Sequence, residues 1–162
     1  RYLVITVWKS SNDLYRIIYK DLAYPNSDPI DLIDRFEFEY AFVGSDGPVF
    51  YFKTSNGAPN RRLIANDITQ PKPEDWREVV GERGDPLEGI HYVGGRFIAQ
   101  YLKDAKTQVR ILNKDGALER ELPRPGIGSA DGFTGPNGRT WAGMKLMPRP
   151  IRRSSLSLPG EQ

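Results

Sequence analysis

Rings and charges alternate from Phe36 to Phe42: Phe36, Phe38, Tyr40 and Phe42 hold every second position, with Glu37 and Glu39 between them. Successive side chains of an extended chain point to opposite faces, so this pattern predicts a half-buried β-strand running to Gly44, with its glutamates on the opposite face. Ser45-Asp46-Gly47 tolerates positive φ, and Pro48 to Thr54 returns as a second strand rich in β-branched and aromatic residues. After a Ser55 to Asn60 turn, Arg62 to Ile68 gives a third strand. Beyond a proline-broken loop, Trp76 to Val80 gives a fourth. Pro71, Pro73, Glu74 and Asp75 suit a helical turn begun by proline, with Trp76 covering the rim.

The same order recurs downstream. Tyr92-Val93-Gly94, Phe97 to Lys103, Val109 to Leu112 and Leu118 to Leu122 answer the four strands in turn. Upstream, Leu3 to Lys9, Leu14 to Asp21 and Ile30 to Asp34 read as the last three strands of an earlier copy. Ile18, Ile64 and Ile111 recur at steps of about 46 residues, a period that suits a four-stranded propeller blade. Apolar residues at three- and four-residue steps, the mark of a helical repeat, are not seen. The expected class is all-β: a partial β-propeller spanning 1–134, followed by an irregular tail at 135–162. Within it, 1–34 ends one blade, 36–80 and 87–122 are complete blades, and 127–134 begins another.

Composition adjusts this picture in three ways. With 162 residues, 38% of them apolar and 11% aromatic, the chain can bury a core, yet a closed propeller needs at least about four blades. The opening Arg1-Tyr2, without methionine or an apolar leader, reads as a cut within a longer chain. No run of about 20 apolar residues offers a membrane span, and zero cysteine removes disulfides and thiolate chemistry, which fits a cytoplasmic or a cysteine-poor periplasmic protein. The formal charge is +2, but Arg139, Lys145, Arg149, Arg152 and Arg153 face only Glu161 after Gly135, so the repeat body is mildly acidic. A nucleic-acid surface needs Lys and Arg clustered on the folded part. The Arg, Pro and Ser of the tail lack period-2 alternation and point to disorder; a shifted reading frame and a divergent terminal segment both stay open.

Candidate chemistry is sparse. Lys20-Asp21-Leu22, Asn66-Asp67-Ile68 and Lys114-Asp115-Gly116 each sit where a third strand turns toward a fourth, and an aspartate there caps the turn by accepting backbone N–H bonds. A carboxylate site is the lesser reading. His91, the single histidine, lies in an innermost strand without a nearby serine-to-carboxylate pairing. Val93-Gly94-Gly95-Arg96 has strands on both sides, so it is a hairpin turn of primed type and not a phosphate loop, which needs a helix N-terminus. Around Ser129 the nucleophile motif fails, because position 127 is Ile where the motif needs Gly. No catalytic, cofactor or metal residue is assigned, and no position is singled out for substrate.

Leu32 to Gly44, Gly47 to Thr54, Arg62 to Asp67, Tyr101 to Ala105 and Gly126 to Ser129 together resemble the propeller domain of the prolyl oligopeptidases, serine peptidases, in one register from Arg1 to about Thr134. That resemblance implies a seven-bladed propeller capping an α/β-hydrolase domain, the partner that carries a Ser-Asp-His triad and cuts after proline in short peptides. It implies a gating role for the propeller, limiting substrate size, and no catalytic residue in this chain. His91 matches no catalytic position. A stand-alone β-repeat module binding peptides or proteins is the alternative, disfavoured because open blade edges invite self-association. An independent hydrolase has no supporting motif.

Overall fold

The computed structural model describes residues 1–9 and 13–122, and they form three antiparallel sheets. The first holds β1 (Tyr2–Trp8), β2 (Tyr15–Asp21) and β3 (Ile30–Ile33) in that order. The second holds β4 (Tyr40–Asp46), β5 (Val49–Thr54), β6 (Arg62–Asp67) and β7 (Arg77–Val80), again in chain order. The third repeats the plan with β8 (Leu87–Val93), β9 (Arg96–Lys103), β10 (Lys106–Leu112) and β11 (Leu118–Glu121). Each full sheet is a meander whose first strand lies innermost, which is how a propeller blade is built. The expected segment at 127–134 and the tail lie outside the described residues.

Turn chemistry makes the meanders possible. Gly94 and Gly95 have φ of 58° and 77°, the paired positive values of a two-residue primed turn. Pro73–Asp75 forms a single 3-10 turn before β7, and the Trp76 indole N–H reaches back to the Pro71 carbonyl at 3.1 Å.

Alternation then sends successive residues of one strand into different cores. Phe50 and Phe52 of β5 pack with Ile17, Tyr19, Leu32 and Ile33 of the first sheet, while Tyr51 between them packs with Phe97, Ala99 and Tyr101 of the third. Phe50, Phe52 and Phe97 have no exposed surface, and burying a side chain of this kind stabilises by about 1.5–3 kcal/mol each. Gly116 has φ of 81°, and a Cβ there would stand 1.9 Å from the Val79 carbonyl oxygen, so the third sheet meets the second with room for glycine alone.

Three expectations need correction. The inner strand of the second sheet begins at Tyr40 and not at Phe36: the Phe38 carbonyl accepts from the Tyr15 N–H at 3.0 Å, which ties this stretch to the first sheet as a connection. Glu39 is buried at 7% exposure because it is ion-paired, as described below. Ile111 pairs with Ile98 and faces away from the second sheet, so the residue matching Ile64 is Arg110, one position earlier.

Candidate functional site: inner strands between two rims

The sheets place β4 and β8 side by side as the inner wall. Their approach is close: a Cβ on Gly44 would lie 3.0 Å from the Tyr92 Cβ. A β-bulge between Phe42 and Gly44 bends β4 near its midpoint, and another between Leu87 and Gly89 bends β8 at its start. His91 is half-buried on β8, opposite Ile98. No group of three or more His, Cys, Asp or Glu side chains converges among the described residues.

At one end of the wall, where the chain crosses between sheets, charged groups are drawn inward. Glu39 accepts from Arg61 Nε at 2.6 Å and stands 3.2 Å from Lys53 Nζ. Its side chain is only 9% exposed, Lys53 13% and Arg61 29%, so the carboxylate is buried between two cations. Lys53 Nζ donates onward to the Glu88 carbonyl of the third sheet at 2.9 Å. The hydrogen bond to Glu39 raises the Arg61 pKa, and Arg61 itself takes a left-handed φ of 69°. Beside them Asn60 Nδ2 donates to the Arg83 carbonyl at 3.0 Å, and its backbone N–H donates to Glu82 Oε1 at 2.6 Å. Tyr40 accepts from Asn56 Nδ2 at 2.9 Å, and burial pushes its phenol pKa up. The arrangement holds backbone in place; it offers no nucleophile with a base beside it.

The opposite end is built from local turns. Asp21 Oδ1 accepts from the Ala23 N–H and Asp67 Oδ1 from the Thr69 N–H, both at 2.9 Å and two residues on, as the sequence suggests. In the third sheet the capping residue is Asn113, whose Oδ1 accepts from the N–H groups of Asp115 and Ala117. Asp115, the residue expected there, only donates its backbone N–H. Both types favour such turns, and the sequence could not separate them. Asp21 also pairs with Arg1 at 2.6 Å, and that hydrogen bond lowers its pKa. Ser129 lies outside the described residues.

The family model for the prolyl oligopeptidase N-terminal β-propeller domain matches residues 1–141. The chain belongs to this family. A prolyl endopeptidase of Elizabethkingia miricola is 39% identical over 137 residues, and one of Elizabethkingia meningoseptica is 40% identical over 137 residues. Each comparison covers 83% of this chain and 19% of the relative, so the chain spans about a fifth of the length of these enzymes. A solved structure from work on inter-domain dynamics in two prolyl endopeptidases superposes with a TM-score of 0.77 and 29% identity, over 85% of this chain and 20% of that one. Prolyl oligopeptidase B of Galerina marginata, solved with a 35mer hydrolysis and macrocyclization substrate, gives a TM-score of 0.75 at 19% identity over 85% of this chain and 20% of that one, and so speaks for the fold alone. This is the family the sequence resembles, and the three sheets are blades of its propeller.

Proposed function

We propose that this chain is a section of the propeller wall of a prolyl endopeptidase, screening peptides on their way to a catalytic domain that it does not itself contain. The observation that carries this reading is the 39–40% identity to two bacterial prolyl endopeptidases across 83% of the chain. The geometry supports it. The inner strands stand close, two bulges shape them, and the polar groups around them brace backbone. A serine peptidase needs an oriented Ser-His pair, and in this reading that pair belongs to an α/β-hydrolase domain.

A chimera tests it. The matching 137-residue stretch of the Elizabethkingia miricola enzyme is replaced by its counterpart here, and hydrolysis of a short proline-containing reporter peptide is followed. The chimera is expected to retain kcat/KM within about tenfold, a loss of at most ~1.4 kcal/mol in transition-state stabilisation. The chain alone is expected to give no turnover. A folded chimera without activity, or turnover by the chain alone that survives repurification, overturns the proposal.

A further inference from the structure

The two seams between sheets are held in different ways. Polar ties cross from the second sheet to the third at both ends: Lys114 to Asp46 at one, and Lys53 Nζ to the Glu88 carbonyl at the other. The Leu87 N–H adds a bond to the Asn60 carbonyl at 2.9 Å. Rings also bridge that seam, Tyr51 to Tyr92 at 5.0 Å and to Phe97 at 4.9 Å, whereas between the first and second sheets rings and aliphatic side chains carry the contact. Tyr2 and Tyr19 stand edge-on to Phe50 at 5.2 and 5.6 Å, and within the second sheet Phe42 stands edge-on to both Phe50 and Phe52 at 5.7 Å. The Tyr15 N–H bond to Phe38 and the Arg16 guanidinium over the Phe36 ring engage only the connection between these sheets. Among the described residues no side-chain hydrogen bond or ion pair links the strands of the first sheet to those of the second.

Asn66 sits in that ring-lined seam. It lies opposite Phe50 in the β5 to β6 register, and directly opposed residues share a face, so its side chain is on the side of the first sheet. It is wholly buried, and neither Nδ2 nor Oδ1 has a partner. A buried amide without hydrogen bonds is raised in free energy, and contact with water relieves it. The other seam also holds atoms without a hydrogen bond, Gln108 Oε1 and Arg110 Nε, but those side chains are anchored otherwise, Arg110 Nε by its ion pair with Glu121 at 3.5 Å. Gln108 Nε2 donates to Glu121, and the Arg110 guanidinium lies over the Tyr101 ring at 5.2 Å.

We propose that the first and second sheets part along this aromatic seam as a local opening that leaves the second and third sheets joined, with buried Asn66 setting how often it occurs. Residues 1–162 contain no cysteine, so a single introduced thiol reports one seam at a time. Adjacent residues of β6 serve best, because Ile64 packs toward the first sheet and Ala65 toward the third, each 4% exposed. Thiol-labelling rates are measured for the Ile64→Cys and Ala65→Cys variants under native conditions, each normalised to its own global unfolding. Such rates follow the population of the open form.

The Ile64→Cys thiol is expected to react at least roughly tenfold faster than the Ala65→Cys thiol. Adding Asn66→Leu should slow it several-fold while leaving the Ala65→Cys rate unchanged. Should Ile64→Cys fail to fold, Ile17→Cys on the other side of the same seam takes its place. Equal normalised rates at the two positions overturn the proposal, as does an Asn66→Leu substitution that leaves the seam thiol unchanged or makes it faster.

Discussion

The two ends of the inner wall solve the same problem by different means. At the crossing end, residues distant in sequence are bound together: Glu39 with Lys53 and Arg61, Lys53 with the Glu88 carbonyl, Asn60 with the 82–84 segment. At the turn end, Asp21, Asp67 and Asn113 each cap their own chain within two to four residues. A local cap fixes one turn and transmits little, whereas the buried carboxylate makes the position of one sheet depend on the next. The crossing end should therefore govern how the blades are set against each other, and the turn end how each sheet is finished.

Glu39→Gln is the strongest way to break this contrast. It leaves Lys53 and Arg61 without their shared anion in a site that is 9% exposed at the glutamate. Breaking a fully buried pair costs about 3–5 kcal/mol; with Arg61 partly solvated and Lys53 keeping the Glu88 carbonyl, about 2 kcal/mol is expected here. Urea unfolding measures it, and hydrogen exchange should loosen at Leu87 as well as at Tyr40, because the brace reaches the third sheet. Asp67→Ala should cost less, about 1 kcal/mol, by removing bonds to the Thr69 N–H and hydroxyl. Its exchange changes should stay within 67–70. If Asp67→Ala costs as much as Glu39→Gln, or loosens the neighbouring sheets, the distinction between the two ends is lost.

The turn end was the more legible in sequence. Turn residues act within a few positions, so Asp21 and Asp67 declare themselves, and strand order follows from the short, largely apolar runs of β5, β6 and β9 bounded by turn residues. The crossing end was not, because an extended connection and a strand share the same alternation. Phe36 to Glu39 keeps the ring and charge pattern, yet its carbonyls are bonded to Tyr15 of the first sheet and Ser55 of the second. Nor does spacing reveal that Glu39 meets Arg61, since that contact exists only once β4, β5 and the turn before β6 are assembled. Arg61 adjoining a Pro-Asn turn was the available signal, and a positive φ at a non-glycine residue explains why it is easily missed. The slip from Asn113 to Asp115 has a simpler cause: both residues cap turns, and only the register decides between them.

The smallest effect tests whether the turn end couples sheets at all. Lys114 reaches Asp46 across the seam between the second and third sheets, but the two side chains are 53% and 48% exposed. An exposed pair of this kind is weak and screened by salt. A double-mutant cycle with Lys114→Ala and Asp46→Ala should give a coupling below the cost of Asp67→Ala, and the coupling should vanish in 1 M salt, where the screening length is about 3 Å. The bond to Asp46 raises the Lys114 pKa, so the folded state holds this proton more tightly than the unfolded one. The contribution is thus present through neutral pH and is lost as pH rises above the ordinary lysine value of about 10.4 toward the raised one. A coupling that persists in high salt would mean that the turn end also sets the blades against each other, and the crossing end would lose its claim to that role.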